Sequence, residues 1–173
     1  MDRTGAKRRD ATTKGLSSIT RVLPHRPLGS TSAERVIRVL VVDDHALIRA
    51  GVIDILEGTA DMHPVGAAAD GHEAFSLAID TQPDVVLMDV AMPDLSGIEA
   101  TRRLVADEIA TRVLVHSADT SPDLVAAARA AGAAGYLLKR GRSAPLLDAI
   151  RVVHAGGAVW PDGDQAAGTT PAP

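Results

Sequence analysis

The chain contains no cysteine. Disulfides, thiol nucleophiles and zinc–thiolate centres are therefore excluded. Aromatic residues are nearly as scarce, with only Phe75, Tyr136 and Trp160. A stacking platform for single-stranded nucleic acid needs more than three scattered rings, so any core must be built from Val, Leu, Ile and Ala. No run of about 18 apolar residues occurs, and no membrane span is expected. The N-terminus lacks the apolar stretch of a secretory signal. These absences lead to the expectation of a cytoplasmic chain with no membrane partner. What remains is ordinary soluble composition, 46% hydrophobic and 23% charged over 173 residues, enough for one domain with tails.

The net charge of −4 is unevenly spread. Residues 1–38 carry nine Lys/Arg against three Asp/Glu, and the remainder carries 9 against 19. An acidic domain thus follows a basic leader. Acidic surfaces repel nucleic-acid phosphates, which argues against direct DNA binding by the folded part. Residues 1–34 mix Arg, Lys, Ser, Thr, Gly and Pro without periodicity and read as a disordered leader. A basic arm touching nucleic acid, or a targeting peptide, is the functional alternative for that stretch.

From Val36 the pattern becomes regular. A β-branched run over 36–42 predicts a buried parallel strand, and Ala46 to Leu56 has helical spacing. A weaker strand follows at 64–69, a helix at 71–80 and a third strand at 84–88. Further helices are predicted at 97–107, 122–131 and 143–154, with strands at 112–116 and 135–138. Pro122 suits a first helical turn, and Gly156-Gly157 stops the last helix. Five strands alternating with five helices predict an α/β fold, a doubly wound parallel sheet with helices on both faces. Ligands in such sheets gather at the carboxyl ends of the strands.

Those ends carry Asp43 and Asp44, Asp89, Ser117 and Lys139. Taken singly, each has a plain structural use: Asp43, Asp44 or Ser117 as a helix cap, Asp89 in a turn, Lys139 in solvent. Together they place three carboxylates, a hydroxyl and an amine along one sheet edge. Clustered carboxylates need a counter-charge. A hard divalent cation such as Mg²⁺, which takes oxygen ligands and is commonly shared with phosphate, suits them. Lys139 adds a compact positive charge, Ser117 adds a hydrogen bond, and one carboxylate is available as a phosphoryl-accepting nucleophile.

With these residues in place, about residues 36–157 resemble the response-regulator receiver domain of bacterial two-component signalling. The resemblance rests on Val-Val-Asp43-Asp44-His45, on Leu-Met-Asp89-Val-Ala-Met-Pro93-Asp-Leu-Ser-Gly97, on Val-His-Ser117-Ala118 and on Gly132-Ala-Ala-Gly-Tyr136-Leu-Leu-Lys139. Two of these stretches are similar to the NarL/FixJ-like subfamily, whose members usually carry a LuxR-type helix-turn-helix. The resemblance implies a flavodoxin-like sheet of order 2-1-3-4-5 and assigns roles. Asp89 would be the phosphoacceptor. Asp44 would ligate Mg²⁺ directly and Asp43 through water, with Asp89 and the main-chain carbonyl of Ala91 as further ligands. Ser117 and Lys139 would hold the phosphoryl group, and Tyr136 would be a switch aromatic turning inward as Ser117 moves. A sensor histidine kinase is the implied partner, with room for a homodimer, and the output would be a changed interaction surface controlling a downstream response, transcription in particular.

The domain division expected is a leader at 1–34, a receiver at 35–157 and a flexible tail or truncated linker at 158–173, too short for a helix-turn-helix. Other readings stay open: a non-phosphorylated interaction module, a truncated DNA-binding regulator, or an aspartate-nucleophile phosphatase. The last needs a second Asp two residues beyond the nucleophile, where this chain has Ala91. His45 and His116 flank the strand ends and read as ordinary positions.

Overall fold

In a computed structural model of the chain, residues 36–139 and 143–161 are described. The leader expected at 1–34 and the tail beyond residue 161 lie outside them. The strands are β1 (Ile37–Val42), β2 (Met62–Ala68), β3 (Val85–Met88), β4 (Arg112–Ser117) and β5 (Gly135–Leu138). The helices are α1 (Ala46–Glu57), α2 (Gly71–Thr81), α3 (Gly97–Ala106), α4 (Pro122–Ala130) and α5 (Ser143–His154). The sheet is parallel throughout, in the order β2-β1-β3-β4-β5, as expected.

The alternation of side chains along each strand divides the core in two. Ile37, Val39 and Val41 of β1, with Val85, Leu87 and Leu114, face α1 and α5 and meet Val52, Leu56, Ile150 and Val153. Leu40, Val42, Val86, Met88 and Val113 face the other way and meet Ala74 and Ala78 of α2 and Ala100 and Leu104 of α3. Small alanines on that second face let helices approach the β-branched strands closely. Both faces of the central strands are buried, which is why they read as continuous apolar runs.

Caps set where the helices begin. The Asp70 carboxylate accepts from the amides of His72 and Glu73 at 2.8 and 2.9 Å, and Glu73 reaches back to the Ala69 amide at 2.8 Å. The Ser96 hydroxyl accepts from Glu99 at the start of α3. Such caps satisfy helix amides that have no intrahelical partner. At the far end of α5, Gly156 turns the chain at φ +93°, a conformation that favours glycine, with the Gly156 amide donating to the Val153 carbonyl and the Gly157 amide to the Val152 carbonyl.

Most element ends fall within one residue of the sequence expectation, and two strand starts differ for a structural reason. Strand β2 starts at Met62 rather than Pro64, because Pro64 lies inside an edge strand, opposite Val39, where the register shifts. Asp84 precedes β3 rather than joining it, and its carboxylate accepts from the Arg38 amide at 3.0 Å. After α5 the chain stays on the domain past residue 158, where the tail was expected to begin. Val159 pairs with Gly135, and its carbonyl accepts from the Tyr136 amide at 2.6 Å. No helix among the described residues is long and apolar enough to cross a membrane.

Candidate functional site

The parallel sheet delivers the carboxyl ends of β1, β3, β4 and β5 to one edge. Asp43 follows β1, with its amide held by Ala68, and Asp89 follows β3, with its amide held by Val42. Ser117 closes β4, and its carbonyl takes the Lys139 amide at 2.7 Å. These main-chain bonds fix the stems of the side chains before any side-chain chemistry is considered.

The side chains converge. The Lys139 amine lies 2.7 Å from Asp43 Oδ2 and 2.9 Å from Asp89 Oδ2. Asp43, Asp89 and Ser117 are each only 3% exposed. A buried carboxylate is costly unless it is paired and hydrogen-bonded, and one amine here serves two. The remaining Asp43 oxygen accepts from the His45 amide at 2.9 Å, and Asp89 Oδ1 faces the Ala91 amide at 3.4 Å. Asp44 is more open, with its Oδ1 2.6 Å from His45 Nδ1. The side chains of Arg102 and Glu99, on α3, pair at the surface.

Asp43, Asp44, His45 and Asp89 each offer a ligand atom, all within 4.8 Å of one another. Three of the four are carboxylates, the hard oxygen donors that Mg²⁺ prefers, so the residues fit that ion. The main chain at Ala91 is drawn to the site by its amide contact with Asp89. The position two beyond Asp89 carries no acid/base group, so a phosphatase mechanism that depends on one has no residue for it.

The loop carrying Asp89 depends on Gly97. A side-chain carbon there would sit 1.8 Å from the Asp89 carbonyl oxygen, so the start of α3 is packed directly on the residue that carries the site. Asp94, in the same loop, has φ 63°, a left-handed conformation that Asp tolerates better than most residues.

Tyr136 is 1% exposed and points inward, with its hydroxyl donating to the Asp119 carbonyl. The Asp119 amide in turn donates to Ser117 Oγ at 3.2 Å. Burial raises the pKa of the Tyr136 phenol, so it remains a donor at neutral pH. The sequence reading missed Asp119 because its contribution is a main-chain carbonyl and amide, which leave no residue signature; the only trace is the polar turn Asp119-Thr-Ser121, in which Asp119 caps the Ser121 amide. His116 lines a cleft of about 220 Å³ between α1 and α5, whose wall also includes Ile48, Val52, Pro145 and Lys139. Its pKa is pushed down to about 4, by burial first and by the Lys139 charge second, against a smaller opposing pull from Asp43. It is a neutral imidazole beside the site.

Comparison with known proteins agrees with this geometry. Residues 39–151 match the response regulator receiver domain family, and the chain belongs to it. The transcriptional regulatory protein LiaR of Bacillus subtilis is 39% identical over 120 residues, covering 69% of this chain and 57% of that protein. The response regulator GacA of Pseudomonas viridiflava is 42% identical, covering 69% and 56%. This chain therefore spans just over half the length of the curated relatives it matches. Among solved structures, the receiver domain of NarL from Mycobacterium tuberculosis superposes with a TM-score of 0.64 at 37% identity, over 68% of this chain and 98% of that one. The response regulator domain of Thermotoga maritima CheB gives 0.65 at 39% identity, over 70% and 98%. The chain is a two-component receiver of the NarL/LuxR kind, and its relatives are response regulators rather than classical enzymes.

Proposed function

We propose that Asp89 accepts a phosphoryl group from a sensor histidine kinase, or from a small acyl-phosphate donor, and that the modification switches an interaction surface. The observation that carries this reading is the Lys139 amine held between Asp43 and Asp89 at one buried edge. An Asp89 carboxylate oxygen attacks phosphorus as the bond from phosphorus to the donor breaks; a phosphohistidine releases its imidazole, which takes a proton from water, and an acyl phosphate releases its carboxylate. Lys139 keeps its positive charge beside the new phosphoryl oxygens, and Ser117 supplies a hydroxyl to them. Asp44, Asp89 and the main-chain carbonyl of Ala91 would hold Mg²⁺ directly and Asp43 through water, and the ion would supply charge neutralisation to the phosphoryl group. The Asp89 side chain thereby goes from about −1 to about −2 in charge and gains three acceptor oxygens, and contacts made only in that state shift a two-state equilibrium.

The unit that does this is the receiver, expected at residues 35–157, together with Val159 and Trp160, which pack on it. The changed surface is read along α4, β5 and α5 by a second copy or another protein, with transcription as the downstream response, and not by direct DNA contact from this unit. Cytoplasmic placement follows from a kinase donor on that side of the membrane. Intact-mass spectrometry with Mg²⁺ and acetyl phosphate tests the assignment. The wild type is expected to gain one phosphoryl group and Asp89→Asn none. Equal labelling of the variant refutes it.

A further inference from the structure

The segment that follows α5 is attached both to the core, where Val159 packs and Arg112 donates to the Gly156 and Gly157 carbonyls, and to the switch. Gly156 and Gly157 reverse the chain at the end of α5, and Val159 is laid against the outer edge of β5 at Gly135, beside Tyr136. The fit is close. A side-chain carbon at Gly135 would lie 2.8 Å from the Val159 carbonyl oxygen and 3.2 Å from its amide nitrogen, so glycine is needed there for the strap to approach. One residue on, Trp160 packs against the cluster formed by Val90, Val115, Val125, Ala128 and Tyr136. The Arg129 guanidinium of α4 stacks on its ring at 4.1 Å, a cation–π contact. The same few residues therefore touch the backbone of Tyr136, the packing around its ring and the helix that follows the Ser117–Asp119 loop.

We infer that Val159 and Trp160 are positioning residues for the switch: they hold Tyr136 inward, bonded to Asp119, and so favour the arrangement in which Ser117 is set towards Asp89. The coupling to phosphorylation rests on the proposed role of Asp89. Coupling between two sites is reciprocal. A strap that favours inward Tyr136 raises the phosphorylated fraction, and phosphorylation makes the strap harder to detach.

Two measurements on the full chain separate this inference from the reading of Asp89. The first needs no phosphoryl donor. Amide hydrogen exchange at Tyr136 is expected to quicken about tenfold or more in Trp160→Ala and in Gly135→Ala, with β1 and β3 amides unchanged. The second uses acetyl phosphate with Mg²⁺ and intact mass. Each variant is expected to show about fivefold less phosphorylated protein at matched donor, the low end of typical coupling, and Trp160→Phe to restore both values by keeping a ring under Arg129. Unchanged exchange at Tyr136 overturns the inference, as does an unchanged phosphorylated fraction in variants whose exchange has quickened. If the wild type takes no phosphoryl group, the assignment of Asp89 fails, and the exchange experiment alone decides whether the strap holds Tyr136.

Discussion

One amine between two buried carboxylates and one neutral imidazole a strand-width away set the electrostatics of this edge at the scale of single residues. Lys139, Asp43 and Asp89 were legible because each falls immediately after or at the end of a predicted strand, and in a parallel sheet those ends must converge. His116 is also at a strand end, yet its character was not legible. Its low pKa comes from burial against α1 and α5 and from the Lys139 charge, neither of which is local in sequence. The consequence is a pH dependence of known sign. Unfolded, His116 binds a proton below its ordinary value of 6.5; folded, it does so only near 4. Stability from this group is complete above the unfolded value and is lost as pH falls through the window between the two. Urea titrations at pH 7 and pH 4.5 are expected to show the wild type losing about 2 kcal/mol more than His116→Leu over that step. An equal loss in both proteins shows that other groups dominate.

The loop from β3 to α3 shows what individual elements demand. Its sequence, Asp89 to Gly97, contains two residues that no periodicity explains, Asp94 and Gly97. The first turns the chain at positive φ and the second lets α3 start on top of the Asp89 carbonyl. Gly97→Ala is expected to lower stability by about 3 kcal/mol or more, since the obstructing atom is backbone and cannot rotate away, and to abolish phosphoryl uptake with it. Thermal melts and the mass assay check both. A melt within a degree or two of wild type means that the helix start can shift freely. Helix bounds were mostly legible from helical spacing, from Pro122 in the first turn of α4 and from Gly156-Gly157 after α5; the Asp70 and Ser96 caps were found only in the structure. The start of β2 was not, because a proline argues against a strand interior and only the edge position of β2 makes it tolerable. The strap at Val159 was illegible for a related reason: a single bridge has no repeat to read.

Across the described residues, the alternation that gave the strands away also divides the interior between the two faces of the sheet, one under α1 and α5, the other under α2, α3 and α4. Truncations on opposite faces share no partner. Ile150→Val, at about 1 kcal/mol, and Val113→Ala, at about 2 kcal/mol, are expected to add within about 0.5 kcal/mol in the double variant. A larger departure in denaturant unfolding means that the sheet transmits strain between its faces. The family's fold and the placement of the site followed from sequence because both depend on this layering. The state of the switch did not, because it is decided by contacts among Tyr136, Asp119 and Trp160 that only the assembled edge brings together.

Each rim of the sheet carries a feature that disfavours an added strand. On one side Pro64 removes an amide from β2 and the register slips beside it; on the other, the chain's own Val159 occupies β5. A parallel sheet with one bare rim is a template for foreign strands and for fibrils. This chain blunts one rim by composition and the other by folding back on itself, so strand-by-strand polymerisation should begin, if anywhere, at β5 once its guard is removed.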